Sequence, residues 1–597
     1  VGIVDIRRAD RPQQLKALDV GGEPTSVSAL GDIAVAAVWV DKPQIGKPAP
    51  SFKPGKLLVL DVSRRDDPKV LGEVAIGYHP DSVKLTRIGK ELVVVVAIEN
   101  QPVIVENGLV IDSDVPGHPG DVSPPGLVQV ITLDLSDVTK STVADVVLPE
   151  AAMKSAGLEF AADPQPEFVD VHGSSAVVTL QENNGLAFLD IADPRKPALR
   201  RLAYLGTCAD RSADMTEDDA ISFTETYPKD ATGARQPKDG AGRPIPAGSR
   251  MPDAVAFSPD GSIVFTADEG ELNFTGGRGV SAWFNNGNLA WEDKGLLESV
   301  AVSFSHYPEG RSENKGAEFE GVTTATFGRD DYAFFLSERG SFMAVFDINA
   351  ARRPRLLQIV PTGISPEGVV AIPSRDLVVT ADEGSGTLTI LRGSHRDPRS
   401  KRAPQLYSRS VDQPWAAFSG LTAAEHGESL YAVPDNALPT SIFRIDVGRP
   451  EARVVEVLKV KRDGKQARYD GEGLVRDHSI LRPGFAGFWI ASEGNGSSNP
   501  NLLVQIDGRG NVLREIQLPF TIDAAADATL KGFAQPAKGG QKIRSNGFEG
   551  VAMSTDGRYL FAAIQRDFAG EFTSPKYTRI ARYDLQQLVN PAAGVCN

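Results

Sequence analysis

A short phrase recurs nine times along the 597 residues: a position that is acidic in most copies, one further residue, and then a hydrophobic residue that opens an apolar run. The intervals are irregular, and the shortest separates Val322 from Val369 by 47 residues. Self-similarity at such intervals is typical of repeat folds. Seven copies have the acid, and Thr25 or Ser419 replaces it in the other two. The seven acids are Asp81, Glu167, Asp253, Glu320, Glu367, Glu472 and Glu549.

Each copy of the phrase is followed by the same order of apolar runs. A tight turn, such as Asp260-Gly261, joins the phrase strand to a second run, and Asp-Gly between apolar runs is a strong hairpin signal. A third run ends in Asp, as in Leu186–Asp190, and a fourth leads to the next phrase. Helical periodicity is nearly absent. We therefore predict an all-β fold, a β-propeller of about nine four-stranded antiparallel blades, arranged as one large ring or as two propellers.

The Asp residues that end the third runs have two interpretations. They could bind a metal ion, but an Asp at a strand end usually accepts a hydrogen bond from a backbone N–H of the following turn. We predict that they cap turns. These residues are Asp61, Asp134, Asp190, Asp347, Asp446, Asp507 and Asp584.

The phrase acids are predicted to gather at one face. The first strand of a blade starts at the face where the second strand ends, and the second runs also end in acids, as at Glu99 and Asp435. Carboxylates that converge in this way repel each other unless cations intervene. Hard oxygen ligands suit Ca²⁺, or another divalent cation. The predicted metal ligands are Asp81, Glu167, Asp253, Glu182, Glu269, Glu338, Glu383 and Glu493.

A second interpretation of the same acids needs no metal ion. A carboxylate at a strand entrance can accept hydrogen bonds from the backbone amides of a neighbouring blade, or pair with Arg or Lys. Both interpretations can hold at once, with some of the acids structural and the others metal ligands.

Catalysis by a familiar nucleophile is not indicated. The sequence has no Gly-x-Ser-x-Gly elbow, no His-Glu-x-x-His and no phosphate-binding Walker loop, which leaves metal-activated water as the route. We predict Glu320, Glu367, Glu472 and Glu549 as catalytic carboxylates. The predicted contacts to a phosphate group are Lys315, Arg339 and Arg544, with His79 and His172 as further candidates for anion binding.

Composition limits the partners. The formal net charge of −15 argues against binding to nucleic acid or to an anionic membrane surface. Cys208 and Cys596 are the two cysteines, so that one disulfide is conceivable and a multi-cysteine zinc site is excluded. No run of about 18 apolar residues predicts a membrane span. A protein partner is not indicated.

The first two thirds of the chain resemble the choice-of-anchor I propeller domain of exported bacterial proteins that are described as alkaline phosphatase-like. The stretches that carry this resemblance are Pro166–Val169, Val178–Asn184 with its Gln-Glu-Asn-Asn phrase, Pro252–Val255 with Thr266–Gly270, Lys315–Val322, and Pro366–Val369 with Ala381–Glu383.

Residues from about 415 onward are similar to an esterase-like, phytase-related domain. The carriers are Phe418–Leu421, Asp470–Leu474, Trp489–Glu493 and Asn546–Ala552. We predict a domain boundary between residues 395 and 396. The two resemblances imply a calcium-dependent propeller that acts on phosphate esters outside the cytoplasm, in the periplasm or the extracellular space.

Two hypotheses on function follow. The first is an exported, Ca²⁺-dependent phosphoric-ester hydrolase whose substrate is a phosphorylated small molecule. The second is a non-catalytic, metal-stabilised propeller that acts as a surface or periplasmic binding platform, because propellers host many functions.

Overall fold

The structure is a computed structural model with side chains, and it describes most of the chain. The described residues are 1–113, 116–208, 211–218, 220–223, 225–226, 248–270, 277–393, 405–425, 427–448, 451–478, 486–493, 501–517, 547–565 and 579–586.

The fold is all-β, as predicted, and consists of propeller-type antiparallel sheets. Each of nine sheets contains one of the nine phrases at the start of a strand that we define as its first strand, and we number these sheets 1 to 9 in chain order. The chain divides into two compact units. The first unit comprises residues 1–216, 223–298 and 311–395 and contains sheets 1 to 6, and the second comprises 217–222, 299–310 and 396–597 and contains sheets 7 to 9. The number of blades in a closed ring stays a prediction.

The first unit has five four-stranded sheets and, as sheet 6, one of three strands. The strands are Glu23–Leu30, Ile33–Trp39, Gly55–Asp61 and Lys69–Ile76 in sheet 1; Pro80–Ile88, Glu91–Ile98, Leu127–Leu133 and Thr142–Val147 in sheet 2; Pro166–His172, Ser175–Leu180, Gly185–Asp190 and Ala198–Tyr204 in sheet 3; Pro252–Phe257, Ile263–Asp268, Gly279–Phe284 and Leu289–Glu292 in sheet 4; Phe319–Phe327, Asp330–Ser337, Phe342–Asp347 and Arg355–Pro361 in sheet 5; Pro366–Ile372, Leu377–Asp382 and Thr387–Arg392 in sheet 6.

Sheets 7 to 9 have five, four and three strands. The strands are Leu406–Ser408, Phe418–Ala423, Ser429–Pro434, Ser441–Asp446 and Ala452–Lys459 in sheet 7; Gly471–Asp477, Gly487–Ser492, Leu502–Asp507 and Val512–Gln517 in sheet 8; Phe548–Met553, Tyr559–Ile564 and Arg579–Asp584 in sheet 9.

The remaining elements are short. Four two-stranded pairs lie at Gly2–Asp5 with Gln13–Ala17, Ile104–Glu106 with Leu109–Asp112, Ser212–Ala213 with Glu225–Thr226, and Lys461–Arg462 with Lys465–Gln466. The α-helices are Glu150–Ala156 and Leu296–Ser303, and the 3₁₀ turns are Val138–Lys140, Glu309–Arg311 and Pro373–Arg375. In the part of the chain that the structure describes, no helix is long and apolar enough to cross a membrane.

Apolar side chains between consecutive sheets form the core of each unit. Val95 of sheet 2 and Val178 of sheet 3 belong to one fully buried cluster, and Val504 of sheet 8 lies in the cluster that joins sheets 7 and 8. In the first unit, the first strand of each sheet contacts the first strand of the next, from sheet 1 to sheet 6. The first strands are therefore innermost, which is the arrangement of propeller blades.

The Asp residues at the ends of the third strands cap turns, as predicted. The N–H of Asn349 donates to the Asp347 carboxylate at 3.0 Å, for example, and this carboxylate also pairs with Arg355. The other six Asp residues accept the same bond from the residue two positions later. The hydrogen bond with Arg355, followed by that of the Asn349 N–H, lowers the pKa of Asp347, and Arg200 with the Ala192 N–H lowers the pKa of Asp190 in the same way. Asp5, at the end of the strand Gly2–Asp5, accepts the same kind of bond from the N–H of Arg7.

Candidate functional site

The phrase acid lies at a break in the strand ladder. In sheet 5, Phe319 pairs with Ser337 and Gly321 pairs with Leu336, so that Glu320 has no partner across the ladder. The first strands of the other eight sheets shift register at the same place. A bulge of this kind re-aims a side chain. The recurring phrase is thus the sequence of a β-bulge whose extra residue is acidic in seven of the nine sheets.

A backbone hydrogen bond holds the second acid beside the first. The N–H of Glu338, which follows the second strand of sheet 5, donates to the carbonyl of Glu318 at 2.8 Å. Glu318 precedes the phrase acid Glu320 by two residues. Five further sheets repeat this bond, from Glu99 to His79, Glu383 to Ser365, Asp435 to Ala417, Glu493 to Asp470 and Gln565 to Gly547. The end of the second strand therefore meets the start of the first, as the sequence analysis assumed.

In the first unit, eleven carboxylates form one acidic band, which is defined by close groups of ligand atoms and by the electrostatic neighbours of Glu167. Four groups of three residues have ligand atoms that lie within 4.8 Å of one another inside each group. The groups are His79, Asp81 and Glu99; Asp253, Glu269 and Glu320; Glu318, Glu320 and Glu338; and Glu338, Glu367 and Glu383. Shared members join the last three groups. The acidic band consists of Asp81, Glu99, Glu167, Glu182, Asp253, Glu269, Glu318, Glu320, Glu338, Glu367 and Glu383.

Glu167 links the two ends of the acidic band. Burial raises the pKa of its carboxyl group well above the ordinary value, and the neighbouring Glu182, Glu99, Asp253 and Asp81 raise it further. Its Oε2 atom is buried and has no hydrogen-bond partner among the described residues. A carboxylate oxygen that faces other carboxylates in this way needs either a proton or a cation.

Two other phrase acids in the middle of the acidic band have the same electrostatic problem. The pKa values of Asp253 and Glu320 are raised well above the ordinary range, first by burial and then by Glu269. The charge of Lys315 lowers the pKa of Asp253 and so offsets part of this shift. The carboxylates in this part of the acidic band therefore favour sharing a proton or binding a cation.

The group Glu338, Glu367 and Glu383 is the most accessible one. Glu338 is buried, whereas Glu367 and Glu383 are exposed. Although part of its surface is exposed, Glu367 is partly removed from solvent by neighbouring protein atoms, and this desolvation, followed by Glu383, raises its pKa to about 8. Burial with Glu318 raises the pKa of Glu338 to about 7. Small molecules can therefore reach this group.

His79 is a neutral base in this structure rather than an anion binder. Its ring stacks on Trp39 with centroids 3.6 Å apart, and the N–H of Gln101 donates to its Nδ1 at 3.3 Å. Burial lowers the pKa of His79 to about 3, so the ring carries no positive charge at neutral pH. The other candidate, His172, lies at the end of the strand Pro166–His172 that is opposite to Glu167, and it is exposed there.

Two of the three predicted phosphate contacts, Lys315 and Arg339, are paired with carboxylates of the acidic band. Lys315 Nζ is 2.5 Å from Glu269 Oε1, and Arg339 Nε is 2.7 Å from Glu318 Oε2 and 2.9 Å from Glu338 Oε2. The third predicted contact, Arg544, lies outside the described residues.

The second unit has a smaller acidic group. Ligand atoms of Asp435, Asp470 and Glu472 lie within 4.8 Å of one another, and Ser419 donates a hydrogen bond to Glu472. Burial, followed by Asp435, raises the pKa of Asp470 to about 7. Burial and Glu472 raise the pKa of Glu549, and Glu493 raises that of Asp470. The four predicted catalytic carboxylates are thus divided, with Glu320 and Glu367 in the first unit and Glu472 and Glu549 in the second.

Two acids of these groups, Glu318 and Asp470, are not among the predicted site residues. Glu318 and Asp470 precede a phrase acid by two residues, which is the position of His79 in sheet 2. Each is buried beside the phrase acid of its own sheet. An acid two residues before the phrase acid was the signal that could have revealed them.

The donors of the acidic band fit a divalent cation. They are carboxylate oxygens in groups of three, with the unsatisfied Oε2 atom of Glu167 between them. Ca²⁺ takes six to eight oxygen ligands in flexible geometry, and other divalent ions share part of this preference. Of the predicted metal ligands, Asp81, Glu167, Asp253, Glu182, Glu269, Glu338 and Glu383 belong to the acidic band, and Glu493 belongs to the second unit.

The innermost strands with a bulged acid, and the ends of the second strands beside them, define a β-propeller protein with carboxylate-lined sites. Its first 351 residues match the choice-of-anchor I domain over residues 1–242 and 271–351, and the chain belongs to this family. Residues 413–594 match a phytase-like family that is described as esterase-like activity of phytase. The two resemblances noted in the sequence are thereby confirmed. No curated protein matches the chain.

Three solved structures that resemble the chain have low sequence identity to it. Sqt1 of Chaetomium thermophilum is 10% identical, with 91% of this chain and 94% of that chain covered and a TM-score of 0.32. The periplasmic gluconolactonase of Pseudomonas aeruginosa is 13% identical, with 68% and 92% covered and a TM-score of 0.29. Hydrazine synthase of Kuenenia stuttgartiensis is 14% identical, with 64% and 98% covered and a TM-score of 0.29.

Proposed function

We propose that the protein is an exported, Ca²⁺-dependent phosphoric-ester hydrolase that works in the periplasm or the extracellular space. The observation that carries this proposal is the accessible group of Glu338, Glu367 and Glu383, whose ligand atoms lie within 4.8 Å beside the Arg339 guanidinium. The matches to a phytase-like family and to the choice-of-anchor I family support the reaction class and the export.

Glu338 and Glu383 would hold the cation at the accessible end of the acidic band, and Asp253 and Glu269 would hold one deeper in it. A bound Ca²⁺ neutralises phosphate oxygens and lowers the pKa of a coordinated water. Asp81, Glu167 and Glu182 complete the acidic band, and Glu493 belongs to the corresponding group of the second unit.

The carboxyl groups between these ligands supply proton transfer. With a pKa of about 8, Glu367 keeps its proton at neutral pH and can donate it to the oxygen of the leaving alcohol. Glu320 is buried deeper and receives a proton from the same network. In the second unit, Glu472 and Glu549 have the corresponding positions, and Arg339, Lys315 and Arg544 are the proposed cations for the phosphate oxygens.

The test is hydrolysis of p-nitrophenyl phosphate and of phytate by the full chain, with calcium chloride and after addition of EGTA. We expect turnover with calcium and none with EGTA. Glu367→Gln should lower kcat by about 100-fold, because general acid catalysis contributes roughly this much. Glu73→Gln, on an exposed residue of the fourth strand of sheet 1, is the matched control and should leave kcat unchanged.

The alternative is a non-catalytic platform that calcium stabilises. The paired state of Lys315 and Arg339 favours it, because both cations already bind acids of the protein. It predicts a melting temperature that rises with calcium while neither ester is hydrolysed. Absence of turnover in the presence of calcium would overturn the hydrolase proposal.

A further inference from the structure

Glu318 is a carboxylate with a specific arrangement of partners. Its side chain is fully buried, and each of its two oxygens binds a different arginine. Arg311 Nε donates to Oε1 at 2.9 Å, and Arg339 Nε donates to Oε2 at 2.7 Å. One buried carboxylate thus fixes two guanidinium groups side by side in the first unit.

Both arginines keep donors that have no acceptor among the described residues. The Arg339 side chain is 43% exposed, and none of its Nη hydrogens has a hydrogen-bond acceptor among the described residues. The Arg311 side chain is 31% exposed, and it uses Nε and Nη2 for Glu318, while its Nη1 has no acceptor in the described part of the chain. Two partly exposed guanidinium groups with open N–H donors are the geometry that binds a phosphoryl group.

The backbone that positions Glu318 is strained. Lys315 has a φ of 65° and Glu318 a φ of 47°, in the left-handed region that residues other than glycine rarely adopt. Gly316 lies between them with a φ of 60°, and a Cβ atom there would lie 2.2 Å from Glu298 Oε1. Strain of this kind collects at functional sites, where the surrounding structure holds it.

Arg339 lies next to the accessible group of carboxylates, where an anionic ligand would enter the acidic band. Arg339 Nε is 2.9 Å from Glu338, which belongs to the accessible group with Glu367 and Glu383. The acidic band repels anions, so an anionic ligand needs at least two fixed cations where it enters. A phosphate monoester carries two negative charges near pH 8 and matches two guanidinium groups, whereas a diester carries one.

We propose that Arg311 and Arg339, fixed on Glu318, form a two-arginine clamp that selects phosphate monoesters over diesters. The clamp rests on the proposed hydrolase function for its biological meaning, but it binds ligand independently of turnover. Arg311 and Arg339 are substrate-binding residues, and Glu318 is the positioning residue that orients both.

The test measures binding of two ligands that contain no scissile monoester: phenylphosphonate, a dianion at pH 8, and diphenyl phosphate, a monoanion. Isothermal titration calorimetry on the full chain with calcium chloride compares the wild type with Arg311→Met and Arg339→Met. We expect each substitution to weaken phenylphosphonate binding about tenfold, the typical effect of losing a hydrogen bond to a charged group. Binding of diphenyl phosphate should change less than about twofold on loss of Arg311, since one guanidinium suffices for one charge.

Arg195→Met is the matched control, since Arg195 is half-exposed and makes two hydrogen bonds to Glu91. It should bind phenylphosphonate like the wild type. If Arg311→Met fails to fold, modification of the wild type by phenylglyoxal replaces it: Arg311 and Arg339 should both be protected by phenylphosphonate, and Arg195 should not.

The outcomes separate the clamp from the hydrolase proposal. Tenfold losses in both variants without any hydrolysis of p-nitrophenyl phosphate would support the clamp and overturn the hydrolase. Hydrolysis with unchanged phenylphosphonate binding in Arg311→Met would support the hydrolase and overturn the clamp. The clamp is also overturned if the wild type binds the two ligands equally, or if only Arg339 is protected from phenylglyoxal.

Glu318 as a positioning residue has its own readout in the hydrolysis of p-nitrophenyl phosphate. Glu318→Asp keeps the charge but shortens the reach, so that the two guanidinium groups lose their common anchor. We expect KM to rise while kcat changes less than about twofold, because only ground-state binding is affected. If Glu318 had a purely structural role, the substitution would lower kcat, raise KM and lower the melting temperature together.

Discussion

At the residue scale, the phrase acids could be predicted because a β-bulge has a local sequence pattern, whereas their partners could not. Glu320 was predicted as one of the acids that gather at one face, and the strand ladder leaves it without a cross-strand partner between Phe319 and Gly321. Its neighbour Glu318 had a positional signal, two residues before the phrase acid, but its partners Arg311 and Arg339 are supplied by a turn and another strand end. Such contacts are set by tertiary packing and have no signal within a few residues of sequence.

The Lys315–Glu318 segment leads to a prediction on Gly316. Ala at this position combines an unfavourable φ of 60° with a Cβ contact at 2.2 Å to buried Glu298, whose partner is Arg278. Gly173 has the same φ and nothing within 4 Å of a Cβ. In urea unfolding, Gly173→Ala should cost about 1 kcal/mol from backbone strain alone, and Gly316→Ala at least about 3 kcal/mol because it disturbs a buried ion pair. Equal losses in the two variants would contradict this account.

At the element scale, the strand order was predictable because it depends on local signals. Apolar runs recur in each repeat and a terminal Asp in seven of them, and the Asp-Gly turns of two repeats have the expected positive φ at Gly261 and Gly557. Strand counts were less predictable: sheet 7 gains Leu406–Ser408, a parallel strand beside Ala452–Lys459. That strand pairs with a segment distant in sequence, which no local pattern specifies.

The turn caps give a prediction for one element. Asp347 accepts hydrogen bonds from the N–H and the side chain of Asn349 and pairs with Arg355 at 2.8 Å. Asp347→Ala should lower the free energy of unfolding of the first unit by about 1 kcal/mol, the usual effect of losing a side-chain cap. Asp347→Asn keeps the acceptor for the Asn349 N–H and should lose less than half of that. Chemical denaturation measures both, and an equal loss would show that the ion pair, not the cap, stabilises the turn.

At the scale of the whole molecule, the sequence predicted that many carboxylates would converge but not how their charge is balanced. The acidic band holds eleven carboxylates, and Lys315, Arg311 and Arg339 are the cations that pair with them in the described part of the chain. The balance between protons and cations depends on burial, which raises the pKa of Asp81 to about 7. Burial at this depth results from the packing of several sheets, and the spacing of the phrases does not reveal it.

The same balance predicts how stability depends on pH and calcium. Burial raises the pKa values of Asp81 and Glu338 to about 7 and that of Glu367 to about 8, from ordinary values of 3.8 and 4.5. Between about pH 5 and 8, the native state therefore binds more protons than the unfolded state, and the free energy of unfolding falls as pH rises. Asp347, a turn-capping residue, has a pKa lowered by Arg355 and Asn349 and is ionised in both states in this range, so it does not contribute to the slope.

With EGTA, the melting temperature should consequently fall between pH 5.5 and pH 8. Calcium chloride at pH 8 should raise it by at least about 4 °C, because a cation binds the ionised carboxylates of the native state and not of the unfolded chain. Asp81→Asn, which keeps the shape but cannot ionise, should flatten the dependence on pH with EGTA, whereas the control Glu73→Gln should leave it unchanged. A melting temperature that stays constant or rises over this interval with EGTA would show that arginine and lysine alone balance the charge of the acidic band.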